Sequence, residues 1–233
     1  MQLCAVGTGW LKVANMQRRM TVARISVIGN ALNRVFWNHD CRKPVRPYGF
    51  TNLTSLMNFS HRKAVPADLP VLRELMAQAI TKLVGNFLDS AGVQASFEIM
   101  GVDTSLVEDG TYFVIELDGR IVGCGGWSRR ATLYGGDHSR GRDARLLDPL
   151  SEAARVRAMY THPDFARRGI GRLILGLCEV AAKAEGFSSL ELMATIAGEP
   201  LYSAYGYVVT ERLQIPTSSG VILPGARMTK SIS

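Results

Sequence analysis

The chain has 233 residues, 47% of them hydrophobic, which is enough for one large or two small domains with a proper core. No apolar run approaches the ~18 residues of a membrane span, so we expect a soluble, cytoplasmic protein with no membrane partner. The formal net charge of +7 lies entirely in residues 1–60, which carry eight Lys and Arg against one acidic residue. The remainder is neutral, so its composition gives no argument for nucleic-acid binding.

Residues 1–57 lack sustained helical or strand periodicity, and we expect a basic N-terminal extension in front of a domain over residues 58–233. Three interpretations of this extension remain open. A basic segment poor in acidic residues is typical of an organelle transit peptide, although this one is poor in serine. It could also be an arm for nucleic acid or another acidic partner. The interpretation we favour is a flexible extension without function.

From Phe59 onwards the pattern is regular. Phe59–Ala64 predicts a first strand, and Asp68 is expected to cap a helix whose apolar stripe begins at Leu69. A second helical stretch is predicted from Leu83 towards Gly92, and a third around Phe97 to Met100.

The clearest hairpin signal joins Tyr112–Leu117 to Arg120–Trp127. Asp118-Gly119 lies between these two β-rich runs, as a type I′ turn requires. Ser128–Ala154 then predicts a long loop, and loops of such length in a domain are usually functional or mobile.

The centre of the chain predicts a strand, a glycine turn and a helix. Arg155–Thr161 alternates as a strand does, and Pro163 ends it. From Leu173 the apolar residues fall on one helical face, with Gly186 at the C′ position. The turn Arg167–Arg172 between them contains two glycines and three arginines.

This order of elements makes an anion site from backbone alone. The first N–H groups of a helix have no intrahelical acceptor and carry partial positive charge, and the glycines let a phosphate approach. The turn lacks the Gly-Lys-Ser/Thr ending of a P-loop and the spacing of GxGxxG. A phosphate-bearing ligand is therefore predicted, and the alternative is a plain β-α turn with solvated arginines.

Four further elements follow this helix. Strands are predicted over Ser189–Met193, Tyr207–Leu213 and Val221–Thr229, with a short helix over Glu199–Tyr205. The four cysteines form no CxxC pair and have no histidine at metal spacing. Buried, reduced thiols and no metal site are therefore expected.

The segment from Tyr160 to Leu175 resembles the acyl-CoA signature of the GNAT superfamily of N-acetyltransferases, V-x-P-x-x-[R/Q]-x-x-G-x-[G/A]. Pro163, Gly169 and Gly171 match it in place. Thr161 takes the β-branched position, and Ala166 stands where the motif has Arg or Gln.

A second segment, Pro200–Tyr207, is similar to the family motif F-Y-x-x-x-G-F, with Leu201 for the first Phe and Tyr207 for the last. Two motifs in the right order, roughly thirty residues apart, are more specific than either alone. In this alignment Tyr202 matches the family tyrosine that protonates the departing thiolate.

The resemblance implies an α/β fold with a mixed, mostly antiparallel central sheet and helices on both faces. The strands Val156–Thr161 and Ser189–Met193 would splay apart and admit the pantetheine arm of acetyl-CoA. Backbone groups of Met159, Tyr160 and Thr161 would pair with that arm. The pyrophosphate would be held by the turn, which consists of Arg167, Arg168, Gly169, Ile170, Gly171 and Arg172.

The general base and the acceptor pocket are less marked in the sequence. Many family members carry a glutamate on the strand before the turn, where this chain has no acidic residue. Glu152, just upstream, is the candidate base, with Asp148 or a chain of waters as alternatives. Trp127, Tyr134 and Asp137 are the candidate acceptor-binding residues.

The predicted function is acetyl transfer from acetyl-CoA to a primary amine of a small molecule or peptide, by direct attack in a ternary complex. The alternative is a non-catalytic acyl-CoA-binding sensor or regulatory module of the same fold. A homodimer is left open.

Overall fold

The structure is a computed structural model that describes residues 58–232. The basic extension predicted for residues 1–57 lies outside the described residues. Within the described range, no helix is both long and apolar enough to cross a membrane. In chain order the elements are β1 (Ser60–Lys63), α1 (Leu69–Leu83), α2 (Ser90–Ile99), α3 (Thr104–Glu108), β2 (Tyr112–Leu117), β3 (Arg120–Ser128), β4 (Ala154–Thr161), α4 (Ile170–Ala184), β5 (Ser189–Thr195), α5 (Glu199–Ala204), β6 (Val208–Pro216) and β7 (Ile222–Ser231).

The seven strands form one open sheet in the order β1-β2-β3-β4-β5-β7-β6. Neighbouring strands run antiparallel except β4 and β5, which run parallel. Successive side chains of β2 belong to different cores, since Val114 packs under α1 and α3 whereas Ile115 packs under α4. The predicted mixed, mostly antiparallel sheet with helices on both faces is therefore confirmed.

The two parallel strands at the centre of the sheet separate along their length. They pair only at their first residues, where Ala154 faces Leu190 and Arg155 faces Glu191. Beyond this point β5 continues to Thr195 on β7 alone. The predicted splay is confirmed, and it opens a cleft between the carboxyl ends of β4 and β5.

Glycines of β3 let α4 lie close to the sheet. An ideal Cβ on Gly123 would stand 2.4 Å from Cγ2 of Ile170, and one on Gly125 would stand 2.8 Å from Cγ2 of Ile174. Both isoleucines are almost fully buried. The first turn of α4 is thereby anchored beside the open end of the cleft.

The predicted hairpin is confirmed. Asp118 and Gly119 both have positive φ, at 49° and 76°, as the central residues of a type I′ turn do. The loop that follows β3 contains an isolated β-bridge between Arg130 and Leu146.

Two helix starts differ from the prediction. The stretch after Leu83 is a single 3-10 turn, and α2 begins only after Asp89, whose carboxylate accepts from the N–H of Gly92 at 2.8 Å. Asp68 does not cap α1 with its side chain. A bidentate pair with Arg62 engages that carboxylate instead, because β1 brings the guanidinium within 2.9 Å.

Candidate active site

The N-terminus of α4 opens into the cleft. Gly169 is its N-cap and has a left-handed backbone with φ of 90°, and an ideal Cβ there would meet nothing within 4 Å. Arg167 is also left-handed, with φ of 64°. The amides of Ile170, Gly171 and Arg172 have no acceptor within the helix, so they remain available to an anion.

The second glycine of the turn has a packing role. A Cβ on Gly171 would stand 2.5 Å from Cδ2 of Leu201 on α5. Gly171 therefore lets the two helices of the two sequence motifs touch, and this contact aligns Tyr202 with the start of α4.

The three arginines of the turn lie in different surroundings. Arg167 and Arg172 line the cleft. Arg172 also donates to the carbonyl of Ala204 at 3.3 Å. Arg168 instead stacks over the ring of Phe165, with its Cζ 5.1 Å from the centroid.

The cleft consists of two adjoining parts. The larger, with a volume of about 510 Å³, runs along the turn and the start of α4, and we call it the helix groove. The smaller, of about 110 Å³, lies between α2, β4, β5 and the β6–β7 hairpin, and we call it the apolar pocket. Of the described residues, six line both parts: Val84, Met100, Met159, Tyr160, Thr195 and Tyr202.

A bulge in β4 exposes backbone at the junction of the two parts. Ala158 has φ of 50°, and the hydroxyl of Tyr112 donates to its carbonyl at 2.6 Å. The register leaves Ala158 and Met159 without partners on β3, and β5 has already diverged. Strand pairing therefore leaves Ala158 and Met159 unpaired on the edge that faces the cleft. Tyr160 and Thr161 lie opposite residues of β3.

Tyr202, on α5, lies where the helix groove meets the apolar pocket. Its ring packs edge-on against Tyr207, with centroids 6.0 Å apart. Burial, with a smaller contribution from Cys178, raises the pKa of Tyr202 to about 12. The phenol therefore stays protonated at neutral pH and is able to donate a proton.

A buried arginine that sequence reasoning did not single out lines the apolar pocket. The side chain of Arg157 is 2% exposed and forms an ion pair with Asp103 at 2.5 Å. It also donates to the carbonyl of Gly135 at 2.6 Å, and burial lowers its pKa. Its sequence signal was a charged residue between the apolar Val156 and Ala158 of the strand.

Of the three predicted acceptor-binding residues, only Tyr134 lines the cleft. Trp127 is buried in the core, edge-on to Phe187 at 5.9 Å. The carboxylate of Asp137 accepts from the backbone N–H and the hydroxyl of Thr104 and pairs with Arg142.

Glu152, the candidate base, lies at the opposite end of β4 from the bulge and does not line the cleft. Arg145 donates to both of its oxygens, at 2.8 and 2.9 Å, and the N–H of Asp148 adds a third bond. The Arg145 guanidinium is the largest cause that lowers the pKa of Glu152 to about 2. Asp148 likewise serves its own loop, accepting from Leu150 and Ser151.

The thiols of Cys124 and Cys178 are buried and free, as predicted. Within residues 58–232, no three His, Cys, Asp or Glu side chains come close enough to hold a metal ion.

Comparison with known proteins gives the same fold and a matching family. Residues 108–209 match the family model described as "Acetyltransferase (GNAT) domain". No curated protein matches the chain at a significant level.

Several solved structures share the fold. A GCN5-related N-acetyltransferase from Rhodopseudomonas palustris superposes with a TM-score of 0.54 at 20% identity, over 74% of this chain and 94% of that one. The protein yncA of Salmonella typhimurium, solved with its cofactor acetyl-CoA, gives 0.52 at 18% identity, over 76% and 95%. A ribosomal-protein-alanine N-acetyltransferase from Brucella melitensis gives 0.51 at 18% identity, over 74% and 99%. Residues 108–209, which contain the open α4 turn, therefore match a GNAT acetyltransferase domain, and the described residues share the fold of these solved acetyltransferases.

Proposed function

We propose that the protein is an N-acetyltransferase that moves an acetyl group from acetyl-CoA to a primary amine by direct attack in a ternary complex. The observation that carries this proposal is the meeting of the helix groove and the apolar pocket at Tyr202. One part has the features of a phosphate-binding site, the other has walls for an acceptor, and a proton donor lies between them.

The described residues fit acetyl-CoA as co-substrate. The free amides of Ile170, Gly171 and Arg172, with the guanidinium of Arg167, would hold the pyrophosphate. Backbone groups of β4 from Met159 to Thr161 would pair with the pantetheine arm as an added strand does. The similarity in fold to yncA, solved with acetyl-CoA, supports this assignment.

The reaction forms an N–C bond and breaks the C–S bond of the thioester. In our proposal an unpaired amide near the Ala158 bulge polarises the carbonyl, and the hydroxyl of Tyr202 gives its proton to the departing sulfur. A phenol with a pKa of about 12 gives its proton readily only to a thiolate whose own pKa is raised by loss of hydration.

The attacking amine must also lose a proton. Glu152 as the base stays a prediction, and its three hydrogen bonds outside the cleft support release of the proton through water instead.

The first test compares the chain with its Tyr202→Phe variant, using thiol release from acetyl-CoA over an amine panel and calorimetry with CoA. We expect unchanged CoA affinity and a kcat lower by about 10²-fold, because general acid catalysis contributes about that much. Tyr205→Phe is the matched control, since it removes a phenol from the same segment but outside the cleft lining.

Three results would count against this assignment. Full turnover in Tyr202→Phe would remove the proposed acid. CoA binding without turnover for any amine would favour the non-catalytic module. No heat with CoA or acetyl-CoA would end the proposal.

A further inference from the structure

Most of the residues that line the apolar pocket have apolar side chains. They come mainly from four parts of the fold: the α2 segment, the middle of β4, the end of β5 and the β6–β7 hairpin. Three of these parts meet in a small core of their own. Representative wall residues are Leu88, Ile99, Met100, Met193, Ile215 and Leu223.

Three of the polar side chains in this wall already have partners in the fold. The hydroxyl of Ser96 donates to the carbonyl of Gly92 at 2.8 Å. The hydroxyl of Thr195 accepts from the N–H of Gly198 at 3.2 Å. The phenol oxygen of Tyr160 accepts from the N–H of Gly101 at 3.0 Å.

Among the described residues, the titratable and charged groups that face the pocket are one arginine and three phenols. Arg157 and Tyr160 come from β4, Tyr202 from α5 and Tyr134 from the loop between β3 and β4. Among residues 58–232 no carboxylate lines the pocket. The 57 residues before them contain a single one, Asp40.

An alkylammonium ion would be poorly solvated in these surroundings and would lack a counter-ion. Apolar side chains do not replace its hydration, and a buried cation needs a paired anion, which no described carboxylate of the lining supplies. Arg157 carries charge of the same sign, and its own counter-ion, Asp103, is held behind it by Arg142 at 2.6 Å. A neutral amine with an apolar body loses little hydration on entering and gains from the burial of its carbon skeleton.

We propose that the acceptor is a primary amine on an apolar body that binds as its neutral free base, an aromatic amine being the best case. This inference rests on the proposed function and names the substrate class of that site. Polyamines and other multiply charged amines are excluded as preferred acceptors by the same reasoning.

The test uses the full chain, acetyl-CoA and three amines: aniline, cyclohexylamine and 1,6-diaminohexane. Aniline and cyclohexylamine have rings of equal size, but only aniline is neutral at pH 7. We expect kcat/KM for aniline to stay constant from about pH 6 to 9, whereas cyclohexylamine rises about tenfold per pH unit as its free base appears. The diamine should remain the poorest acceptor throughout.

A carboxylate placed in the wall should change this selectivity. Leu88→Glu is expected to raise kcat/KM for the diamine at least tenfold over Leu88→Gln, the neutral variant of the same size, because it supplies the missing counter-ion. Aniline should respond equally to both variants.

Each outcome has a definite meaning. A preference of the wild-type chain for the diamine, or equal diamine rates in the two Leu88 variants, would overturn the inference while leaving acetyl transfer intact. A titration in the aniline profile would do the same, since it would reveal an enzymic base. The absence of acetylated product from every amine would instead defeat the proposed function and this inference with it.

Discussion

The positions of single atoms around Tyr202 depend on Gly198. A Cβ at this position would stand 2.8 Å from Cε2 of Tyr202 and 3.4 Å from the hydroxyl of Thr195. The backbone of Gly198 is right-handed helical, with φ of −88°, so any residue could adopt it. Glycine is needed here for space beside the aromatic ring and not for conformational freedom.

Gly198→Ala should therefore displace the Tyr202 ring without straining the backbone. We expect kcat to fall about tenfold with little change in CoA affinity, because misplacing a reacting group is costly. Gly176→Ala is the matched control, since its Cβ would have an ordinary 3.5 Å contact with Tyr205. Equal kcat in the two variants would show that Tyr202 does not depend on this packing.

Arg157 and Asp103 form a buried pair whose members depend on each other. The carboxylate is fully buried and is shared with Arg142. Asp103→Asn keeps the shape but leaves the Arg157 charge unpaired, so the free energy of unfolding should fall by about 3 kcal/mol. Asp137→Asn, which alters a 41%-exposed carboxylate that also binds Arg142, should cost much less. Denaturant unfolding measures both, and equal losses would contradict the role given to burial.

At the scale of elements, the apolar pocket is closed by helix α2 and the β6–β7 hairpin, which no strand pairing joins. The carboxylate of Glu98 on α2 accepts from the N–H and the hydroxyl of Ser218 and from the N–H of Ser219, in the β6–β7 turn. These bonds lower the pKa of Glu98 to about 2 from its ordinary 4.5. The contact holds the hairpin over the pocket.

Because the folded pKa of Glu98 is depressed, its stabilisation is complete above pH 4.5 and is lost as the pH falls towards 2. Glu98→Gln should flatten that part of the pH–stability curve. At neutral pH it should raise KM for the acceptor while leaving CoA affinity unchanged, since the hairpin borders the pocket and not the helix groove. A rise in the Kd for CoA would show that the contact supports the whole cleft instead.

At the scale of the whole molecule, we propose that residues 58–233 are the acetyltransferase domain. Every residue of the candidate site lies within this range, and so do all 102 residues of the family match. The excess positive charge lies outside it.

Removal of residues 1–57 is therefore expected to leave CoA affinity and acetyl transfer unchanged within about twofold, because no site group is lost. Calorimetry and thiol release on the full and shortened chains provide the comparison. Any affinity for DNA or RNA should disappear with the basic segment. Unchanged nucleic-acid binding would end the interpretation of that segment as a basic arm, and lost CoA binding would end the domain boundary.

The sequence alone was sufficient for the features that depend on neighbouring residues. The Asp118-Gly119 turn needs two positive φ angles, and the α4 turn needs glycine and free amides, so both can be read within a few positions. Alternation and helical periodicity placed the strands and most helices. The two motifs together gave the resemblance that the family match over residues 108–209 supports.

The tertiary structure decided everything that depends on which distant groups meet. By residue type, Asp68 could cap a helix and Glu152 could act as a base. In the folded chain, however, Arg62 pairs with Asp68 and Arg145 pairs with Glu152. These pairs form only because the fold brings the charged groups within hydrogen-bond distance. Arg157 is an ordinary charged residue in the sequence, and only the fold places it, buried, against Asp103 and the carbonyl of Gly135. Packing and burial are summed over residues far apart in the chain, so local patterns cannot fix them.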